Sequence, residues 1–162
     1  MTTQRKLLEI IFKLCLQKNI TITAIESCTG GLISSAITEI PGSSKVFNKG
    51  LITYSNKSKV SLLGISESTI SKYGAVSQEV ITEMAVNPIS KFKQKNQISI
   101  ATSGVAGPGQ SENKPVGLIW LASYKDNNLL IKELNLGNLN RNLIRQKTVF
   151  EALSLLAENL AT

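Results

Sequence analysis

The sequence predicts an α/β protein in which a mixed β-sheet lies between two layers of helices, a three-layer α/β/α sandwich. One observation behind this is that short β-branched segments alternate along the chain with segments whose apolar residues recur every three or four positions. A second is that the last two strand-like segments are joined by a short polar turn, as in an antiparallel hairpin. The sheet is therefore expected to combine parallel and antiparallel strands.

Alternation of Ile and Thr marks the first strand, and an apolar stripe marks the first helix. Asn56 is predicted to cap the helix after the second strand, and Gly64 to end it. In order, the segments expected in the first half are a helix over Thr3 to Lys18, a strand over Ile20 to Ile25, a helix over Gly30 to Ile40, a strand over Val46 to Ser55, and a helix from Asn56 to Leu63.

The second half begins with two helices, a short one from Ser66 to Gly74 and a longer one from Ser77. Pro88 is expected to break or kink the longer helix near Asn87, because proline lacks the backbone N–H that a helix needs. The remaining expected segments are strands over Ile98 to Ser103, Val116 to Tyr124 and Leu129 to Leu136, a turn at Asp126-Asn127-Asn128, and a closing helix over Arg141 to Leu160.

Length and composition predict one globular domain spanning residues 1–162. The chain has 162 residues, of which 42% are hydrophobic, and it contains no internal repeat or linker-like tract. It has no apolar run long enough to span a bilayer and no signal-peptide pattern. Cys15 and Cys28 lie in different predicted elements and are interpreted as reduced thiols, so a cytoplasmic protein without membrane contact is expected.

The absence of histidine is the most decisive feature of the composition. It excludes Ser-His-Asp and Cys-His catalysis and every zinc site that needs histidine. With only two cysteines, a metal site is not expected, and the chemistry considered below needs no cofactor. A nucleophilic serine in this chain must take its base from a lysine, a carboxylate or a tyrosine.

The net charge of +7 favours an anionic partner. Nucleic acid is not the expected one, because the lysines are scattered and aromatic residues make up only 5% of the chain. A phosphorylated small molecule fits this charge better. The protein is also expected to form a homo-oligomer.

The segment between the first strand and the next helix, Ser27-Cys28-Thr29-Gly30-Gly31, is the first candidate site. Glycines allow a ligand to approach the backbone, and free N–H groups at a helix start favour negative charge. Ligands of open α/β sheets usually bind at such carboxyl ends of strands. The structural alternative is that a serine or threonine here caps the helix and the glycines only permit tight packing.

Lys59 is the candidate base. It lies on the helix after the second strand, about 200° around the helix from Lys57, so one lysine can face solvent while the other faces the site. A third segment, Ser103-Gly104, ends a later strand and can reach the same edge of the sheet. Burial or a nearby cation lowers a lysine pKa enough for it to accept a proton from serine. Two alternatives stay open: Lys59 as an ordinary exposed lysine, and Cys28 as the nucleophile.

The ordered motifs resemble those of the CinA C-terminal domain family, whose enzymatic members are nicotinamide-nucleotide amidohydrolases. The resemblance extends from about Ile20 to Trp120, with a weaker match to Arg145. The motifs are Glu26-Ser27-Cys28-Thr29-Gly30-Gly31, Pro41-Gly42-Ser43-Ser44, Thr53-Tyr54-Ser55-Asn56 with Lys59, Leu63-Gly64, Gly74-Ala75-Val76-Ser77, Ser103-Gly104-Val105-Ala106-Gly107-Pro108 and Lys114-Pro115-Val116-Gly117.

The resemblance implies hydrolysis of nicotinamide mononucleotide (NMN) to nicotinate mononucleotide and ammonia, a step of pyridine nucleotide recycling. It implies a Ser-Lys dyad of Ser27 and Lys59, with Tyr54 as a third catalytic candidate. The oxyanion is expected at the N–H groups near Thr29-Gly30-Gly31 or at those of the Ser103-Gly104 loop. The candidate substrate-binding residues are Glu26, Thr29, Gly30, Gly31, Asn56, Ser103, Gly104, Arg141 and Arg145.

Three positions depart from the family pattern. Lys57-Ser58-Lys59 stands where Glu-Ala-Lys is frequent, Asn87-Pro88 where Gly-Ala is usual, and Gly137-Asn138-Leu139-Asn140-Arg141 where Gly-Asp-Arg is usual. Some family members also carry an N-terminal domain of molybdopterin-binding type, and this chain resembles the standalone form. The alternative function is that of a competence/damage-inducible CinA-like protein that binds a nucleotide without catalysis.

Overall fold

The computed structural model describes residues 2–91 and 95–162. The six α-helices are α1 (Thr3–Lys18), α2 (Leu32–Thr38), α3 (Asn56–Leu63), α4 (Glu67–Tyr73), α5 (Gln78–Ser90) and α6 (Arg141–Ala161), with a 3₁₀ turn at Ser43–Lys45. The five strands are β1 (Thr21–Glu26), β2 (Phe47–Ile52), β3 (Gln97–Gly104), β4 (Leu118–Lys125) and β5 (Asn128–Asn135).

The strands form one mixed sheet in the order β2-β1-β3-β4-β5. The central strand pairs β1/β2 and β1/β3 are parallel, whereas β4 runs antiparallel to both β3 and β5. Glu26, the last residue of β1, lies opposite Ile52 of β2 and Thr102 of β3. The residues that follow these three positions therefore meet at one edge of the sheet.

Helices cover both faces of the sheet. On one face, strand residues such as Ile22 and Ile100 share a buried cluster with residues of α1, α2 and α6. On the other face, Ile25 and Ala101 pack with residues of α3 and α5. Because successive side chains of a strand point to opposite faces, each central strand contributes to both clusters. The predicted three-layer sandwich with a mixed sheet is thus confirmed.

One local prediction is wrong, and the break expected at Pro88 is not found. Ser55, and not Asn56, caps α3: its hydroxyl accepts a hydrogen bond of 3.1 Å from the N–H of Ser58, and Asn56 is already helical. Helix α5 runs through Pro88 to Ser90, with the N–H of Lys91 bonded to Asn87 at 2.9 Å. Pro88 lies in the last turn of α5 and is buried.

The other element boundaries differ from the predicted ones by a few residues, as is usual for helix and strand ends. The hairpin turn falls at Asp126 and Asn127, whose φ values of 48° and 66° suit a two-residue turn of the primed type. Across residues 2–91 and 95–162, no helix combines the length and the apolar character that crossing a membrane requires.

Candidate active site

Ser27 begins the turn between β1 and α2, directly after the buried end of β1. Its N–H donates to the carbonyl of Thr102 at 3.1 Å, which continues the β1/β3 ladder by one residue. Its own carbonyl accepts from Gly30 at 3.1 Å. Gly30 and Gly31 have φ values of 58° and 98°, and a Cβ at Gly31 would lie 3.2 Å from the side chain of Ile52. The turn therefore needs glycine at both positions, and it holds Ser27 at the sheet edge.

The carboxylate of Glu26 holds the start of α2 in place. It accepts hydrogen bonds from the N–H groups of Gly31 at 2.9 Å, Ile33 at 3.1 Å and Ser34 at 2.8 Å, and from the Ser34 hydroxyl at 2.7 Å. A buried anion at a helix N-terminus satisfies donors that the helix leaves unpaired. Glu26 is fully buried and does not line the cavity, so the structure gives it a supporting role in the turn.

Lys59 reaches Ser27 from α3. Its Nζ lies 3.1 Å from the Ser27 Oγ, 2.7 Å from the carbonyl oxygen of Thr53 and 3.4 Å from that of Tyr54. Only 1% of Lys59 is exposed, whereas Lys57 is exposed, as the helical spacing predicts.

The surroundings of the Lys59 amine favour its neutral form. No carboxylate forms an ion pair with it in the described part of the chain. Burial lowers the pKa of Lys59 below its ordinary value of 10.5, and electrostatic interactions with the Cys28 side chain and the Glu112 carboxylate oppose this lowering to a lesser extent. A lysine held this way can accept a proton near neutral pH more readily than an exposed lysine.

A cavity of about 230 Å³ opens beside this pair. Tyr54 and Arg141 close one part of its wall: Arg141 donates to the Tyr54 hydroxyl at 3.0 Å and to the carbonyl of Gly107 at 2.7 Å. The lining residues are Ser27, Cys28, Tyr54, Asn56, Lys59, Ala75, Val76, Ser103, Gly104, Val105, Ala106, Gly107, Gly109, Ser111, Glu112 and Arg141.

Ser103 and Gly104 lie in the cavity wall as the last two residues of β3. The Ser103 hydroxyl donates to the carbonyl of Ala75 at 2.8 Å, which ties β3 to the segment before α5. A Cβ at Gly104 would lie 2.2 Å from Ile119 Cδ1 and 2.9 Å from the carbonyl of Leu118. Glycine is required there because β4 approaches the backbone closely.

Besides Glu26, four predicted site residues do not line the cavity: Thr29, Gly30, Gly31 and Arg145. Arg145 donates to the carbonyls of Cys28 at 3.2 Å and Thr29 at 2.9 Å, and the Thr29 hydroxyl is 2.9 Å from that of Thr102. The N–H of Gly30 is bonded to Ser27 and that of Gly31 to Glu26. These groups hold the shape of the turn from behind.

Cys28 is a poor alternative nucleophile in this arrangement. It lines the cavity but is only 5% exposed, and burial raises the pKa of its thiol to about 12. The reactive form of cysteine is the thiolate, which such a pKa suppresses. Within the described ranges, no group of three or more histidine, cysteine, aspartate or glutamate side chains could hold a metal ion.

Sequence reasoning missed Glu112, which stands in a short turn between two motifs. A glutamate followed by asparagine in such a turn is the one signal that could have drawn attention to it.

Comparisons with known proteins agree with the fold. The family model described as the CinA C-terminal domain matches residues 4–160. A competence-damage inducible protein of Clostridium botulinum (strain Langeland) is 45% identical over 153 residues, which cover 94% of this chain and 37% of that protein. One of Alkaliphilus oremlandii is 46% identical over 149 residues, 91% of this chain and 35% of that protein. The chain thus spans little more than a third of the length of the curated relatives it matches.

Solved structures of related proteins have the same fold. The competence/damage inducible protein CihA from Agrobacterium tumefaciens superposes with a TM-score of 0.90 at 37% identity, covering 100% of this chain and 98% of that one. The competence damage-inducible protein A from Klebsiella pneumoniae subsp. pneumoniae MGH 78578 superposes with a TM-score of 0.91 at 26% identity, covering 99% and 98% of the two chains.

Proposed function

The chain belongs to the CinA C-terminal domain family, and on that premise we propose that it hydrolyses the carboxamide of NMN to give nicotinate mononucleotide and ammonia. The observation that carries the proposal is the contact of 3.1 Å between the Lys59 Nζ and the Ser27 Oγ at the wall of a cavity. A nucleophile and a base within hydrogen-bond distance are what acyl transfer through a covalent intermediate requires.

The hydrogen-bond partners of Lys59 also fit a neutral amine. A neutral amine has two N–H donors and one lone pair. The carbonyls of Thr53 and Tyr54 can take the two donors, at 2.7 and 3.4 Å, which leaves the lone pair for the Ser27 hydroxyl. The Ser27 hydroxyl would then donate its hydrogen bond to the lone pair of the Lys59 amine.

The reaction proceeds in two halves. Ser27 loses its proton to Lys59 and its oxygen bonds to the amide carbon, forming a tetrahedral intermediate. Lys59 then returns the proton to the departing nitrogen, the C–N bond breaks, and ammonia leaves an ester on Ser27. Water attacks this ester and gives a proton to Lys59, the Ser27–acyl bond breaks to release the carboxylate, and Lys59 returns the proton to the Ser27 oxygen.

We propose an oxyanion donor next to the expected Thr29-Gly30-Gly31 segment. The N–H groups of Gly30 and Gly31 are used inside the turn. Cys28 follows the nucleophile and lines the cavity, and its N–H donates to no backbone carbonyl in residues 2–91 or 95–162. We therefore assign the oxyanion to the Cys28 N–H, the position that many serine hydrolases use.

Arg141 is the proposed phosphate contact. Its guanidinium carries five N–H donors, and two of its nitrogens donate to Tyr54 and Gly107, which leaves further donors for a ligand. Arg141 stands in the cavity wall at the start of α6. Arg145 is engaged with two carbonyls behind the turn. Tyr54 is proposed to orient the substrate, since Arg141 fixes its hydroxyl, and Asn56 adds a polar group to the same wall.

Nucleotide binding without catalysis is the second candidate, in keeping with the relatives' names, which mention competence and damage but no reaction. A binding module gains nothing from burying an unpaired lysine against a serine, since this costs desolvation energy. The cytoplasmic location and the homo-oligomeric state stay predictions from the sequence.

One assay separates the two candidates. Purified protein is incubated with NMN, and ammonia and nicotinate mononucleotide are quantified, with Ser27→Ala as the control. Equal release of both products by the wild type, and none by the variant, is expected. NMN binding detected by calorimetry without any ammonia release would instead favour the binding module.

A further inference from the structure

Glu112 occupies an unusual backbone position at the cavity. It lies in a tight turn in which Ser111 and Lys114 exchange two backbone hydrogen bonds, of 3.2 and 2.8 Å. Glu112 and Asn113 have φ values of 52° and 58°. Asparagine and glycine tolerate this left-handed region, whereas glutamate is disfavoured there. Such an outlier at a cavity points to a role for the side chain.

Glu112 is an exposed residue at the cavity wall, and its carboxylate has unused hydrogen-bonding capacity. Its side chain is 32% exposed, and its one ion pair, with Lys114, is long at 3.9 Å. The Lys114 amine donates instead to the carbonyls of Tyr73, at 2.7 Å, and Val76. Over the described residues, no hydrogen bond to the Glu112 carboxylate is formed, although a carboxylate can accept about four.

The carboxylate of Glu112 lies against the backbone of Gly74. A Cβ at Gly74 would lie 2.5 Å from the Glu112 Oε2, so the absence of a side chain at Gly74 makes room for the oxygen. Gly74 has a φ of 81° and ends α4, and it is held near the turn by the contacts of Lys114. Gly74 therefore leaves space for the Glu112 carboxylate at the cavity wall.

The cavity carries three formal charges among its described lining residues: Lys59, Glu112 and Arg141. Glu112 is the one carboxylate among them. Its charge acts on the reacting pair, since it opposes the lowering of the Lys59 pKa. If Lys59 is neutral and Arg141 takes a phosphate, the negative charge of Glu112 has no partner inside the cavity.

We propose that Glu112 is a specificity-determining residue that binds the positively charged pyridinium ring of the substrate. This rests on the proposed function. The ring nitrogen of NMN is bonded to ribose and therefore carries a positive charge, whereas free nicotinamide and benzamides are neutral. With Arg141 on the phosphate and Glu112 near the ring, the cavity complements a molecule that is cationic at one end and anionic at the other.

The test compares two ligands that differ only in ring charge. One is NMN, and the other is its neutral isostere, the 5′-phosphate of 3-carbamoylphenyl riboside, in which carbon replaces the ring nitrogen. Dissociation constants are measured by calorimetry in the Ser27→Ala background, where turnover is blocked. Glu112→Gln keeps the size of the side chain and removes its charge, and Glu158→Gln, exposed on α6, is the matched control.

Glu112→Gln is expected to weaken NMN binding about three- to tenfold at low salt and to change binding of the isostere less than twofold. Glu158→Gln is expected to change neither. Glu112→Asn, which suits the left-handed backbone, should repeat the loss and so guards against a folding defect in the glutamine variant. Thermal melting of each variant checks the fold.

Equal losses of affinity for the two ligands would overturn the proposal, because they would mean that Glu112 contacts the ribose or maintains the turn. Unchanged NMN binding in both Glu112 variants would overturn it as well. A wild-type protein that releases no ammonia from NMN removes the proposed function itself, whereas an active wild type with unchanged Glu112 variants removes only the role of Glu112.

Discussion

The amine of Lys59 lies 3.1 Å from the hydroxyl of Ser27, although 32 residues separate them in sequence. The contact exists because β1 and β2 are parallel neighbours, so the turn after β1 and the helix after β2 leave the sheet at the same edge. The cost of burying the lysine is offset in part by hydrogen bonds to two carbonyls.

The first prediction concerns the base. Lys59→Arg keeps the positive charge but removes an accessible neutral state, because arginine stays protonated. We expect Lys59→Arg to lose about 100- to 10,000-fold in kcat/KM, as a lost general base does, and Ser27→Ala to lose at least as much. The measurement is the initial rate of ammonia release, with circular dichroism as a check of the fold.

The controls for this prediction are Lys57→Ala and the double variant. Lys57 is exposed on the same helix, so its removal should change the rate only slightly. Ser27→Ala combined with Lys59→Arg should be no worse than the more damaging single variant, because dyad members act as a unit. A folded Lys59→Arg protein with a near-normal rate would move the search for the base to Tyr54.

The second prediction is a pH dependence. Lys59 must be neutral to accept the proton, so kcat/KM should rise as the pH rises through its pKa, which burial lowers from 10.5. The charge of Glu112 raises this pKa. Removing it in Glu112→Gln should therefore move the acid limb of the profile to lower pH. Profiles of kcat/KM for the two proteins check the shift, and a limb that moves to higher pH contradicts the electrostatic argument.

Hydrophobic periodicity was sufficient to predict the layers of the fold, because burial of apolar faces determines which segments form helices and strands. The predicted strands also placed Ser27 and Lys59 at one sheet edge, since parallel strands have their carboxyl ends at the same edge. The start of α2 could not be placed in the same way. The helix was predicted to begin at Gly30, directly before the apolar-periodic residues. The positive φ values of Gly30 and Gly31 keep both residues outside the helix.

The contacts that support the site could not be predicted from the sequence for a different reason. Glu26 and Arg145 bind backbone atoms of the turn, and contacts between a side chain and the backbone leave no partner residue to recognise in the sequence. Glu112 depends on a turn conformation that glutamate rarely adopts. Pro88 was expected to break or kink α5 near Asn87, but the helix continues through it to Ser90.

The third prediction tests Glu26 as the support of the nucleophile turn. Its two oxygens accept four hydrogen bonds, whereas the amide of glutamine has one accepting oxygen and would point an NH₂ group at N–H donors. Glu26→Gln should lower the free energy of unfolding by about 2–4 kcal/mol and reduce kcat. Urea unfolding measures the first effect and ammonia release the second.

Glu39→Gln is the matched control for Glu26, because Glu39 is exposed at the other end of α2. Its loss should leave stability unchanged or slightly increased, since a negative charge is unfavourable at a helix C-terminus. An equally small effect in Glu26→Gln would mean that the four hydrogen bonds contribute little to the turn.

The last prediction separates the two arginines of α6. Arg141 lines the cavity, so Arg141→Ala should raise KM for NMN about tenfold or more but change KM for nicotinamide riboside, which lacks the phosphate, less than threefold. Arg145 holds two carbonyls of the turn, so Arg145→Ala should lower kcat for both substrates alike and lower the melting temperature. Lys147→Ala, an exposed cation of the same helix, controls for the general loss of positive charge. Steady-state kinetics with the two substrates give the comparison, and an Arg141→Ala variant that weakens both substrates equally would show that Arg141 positions Tyr54 and does not bind the phosphate.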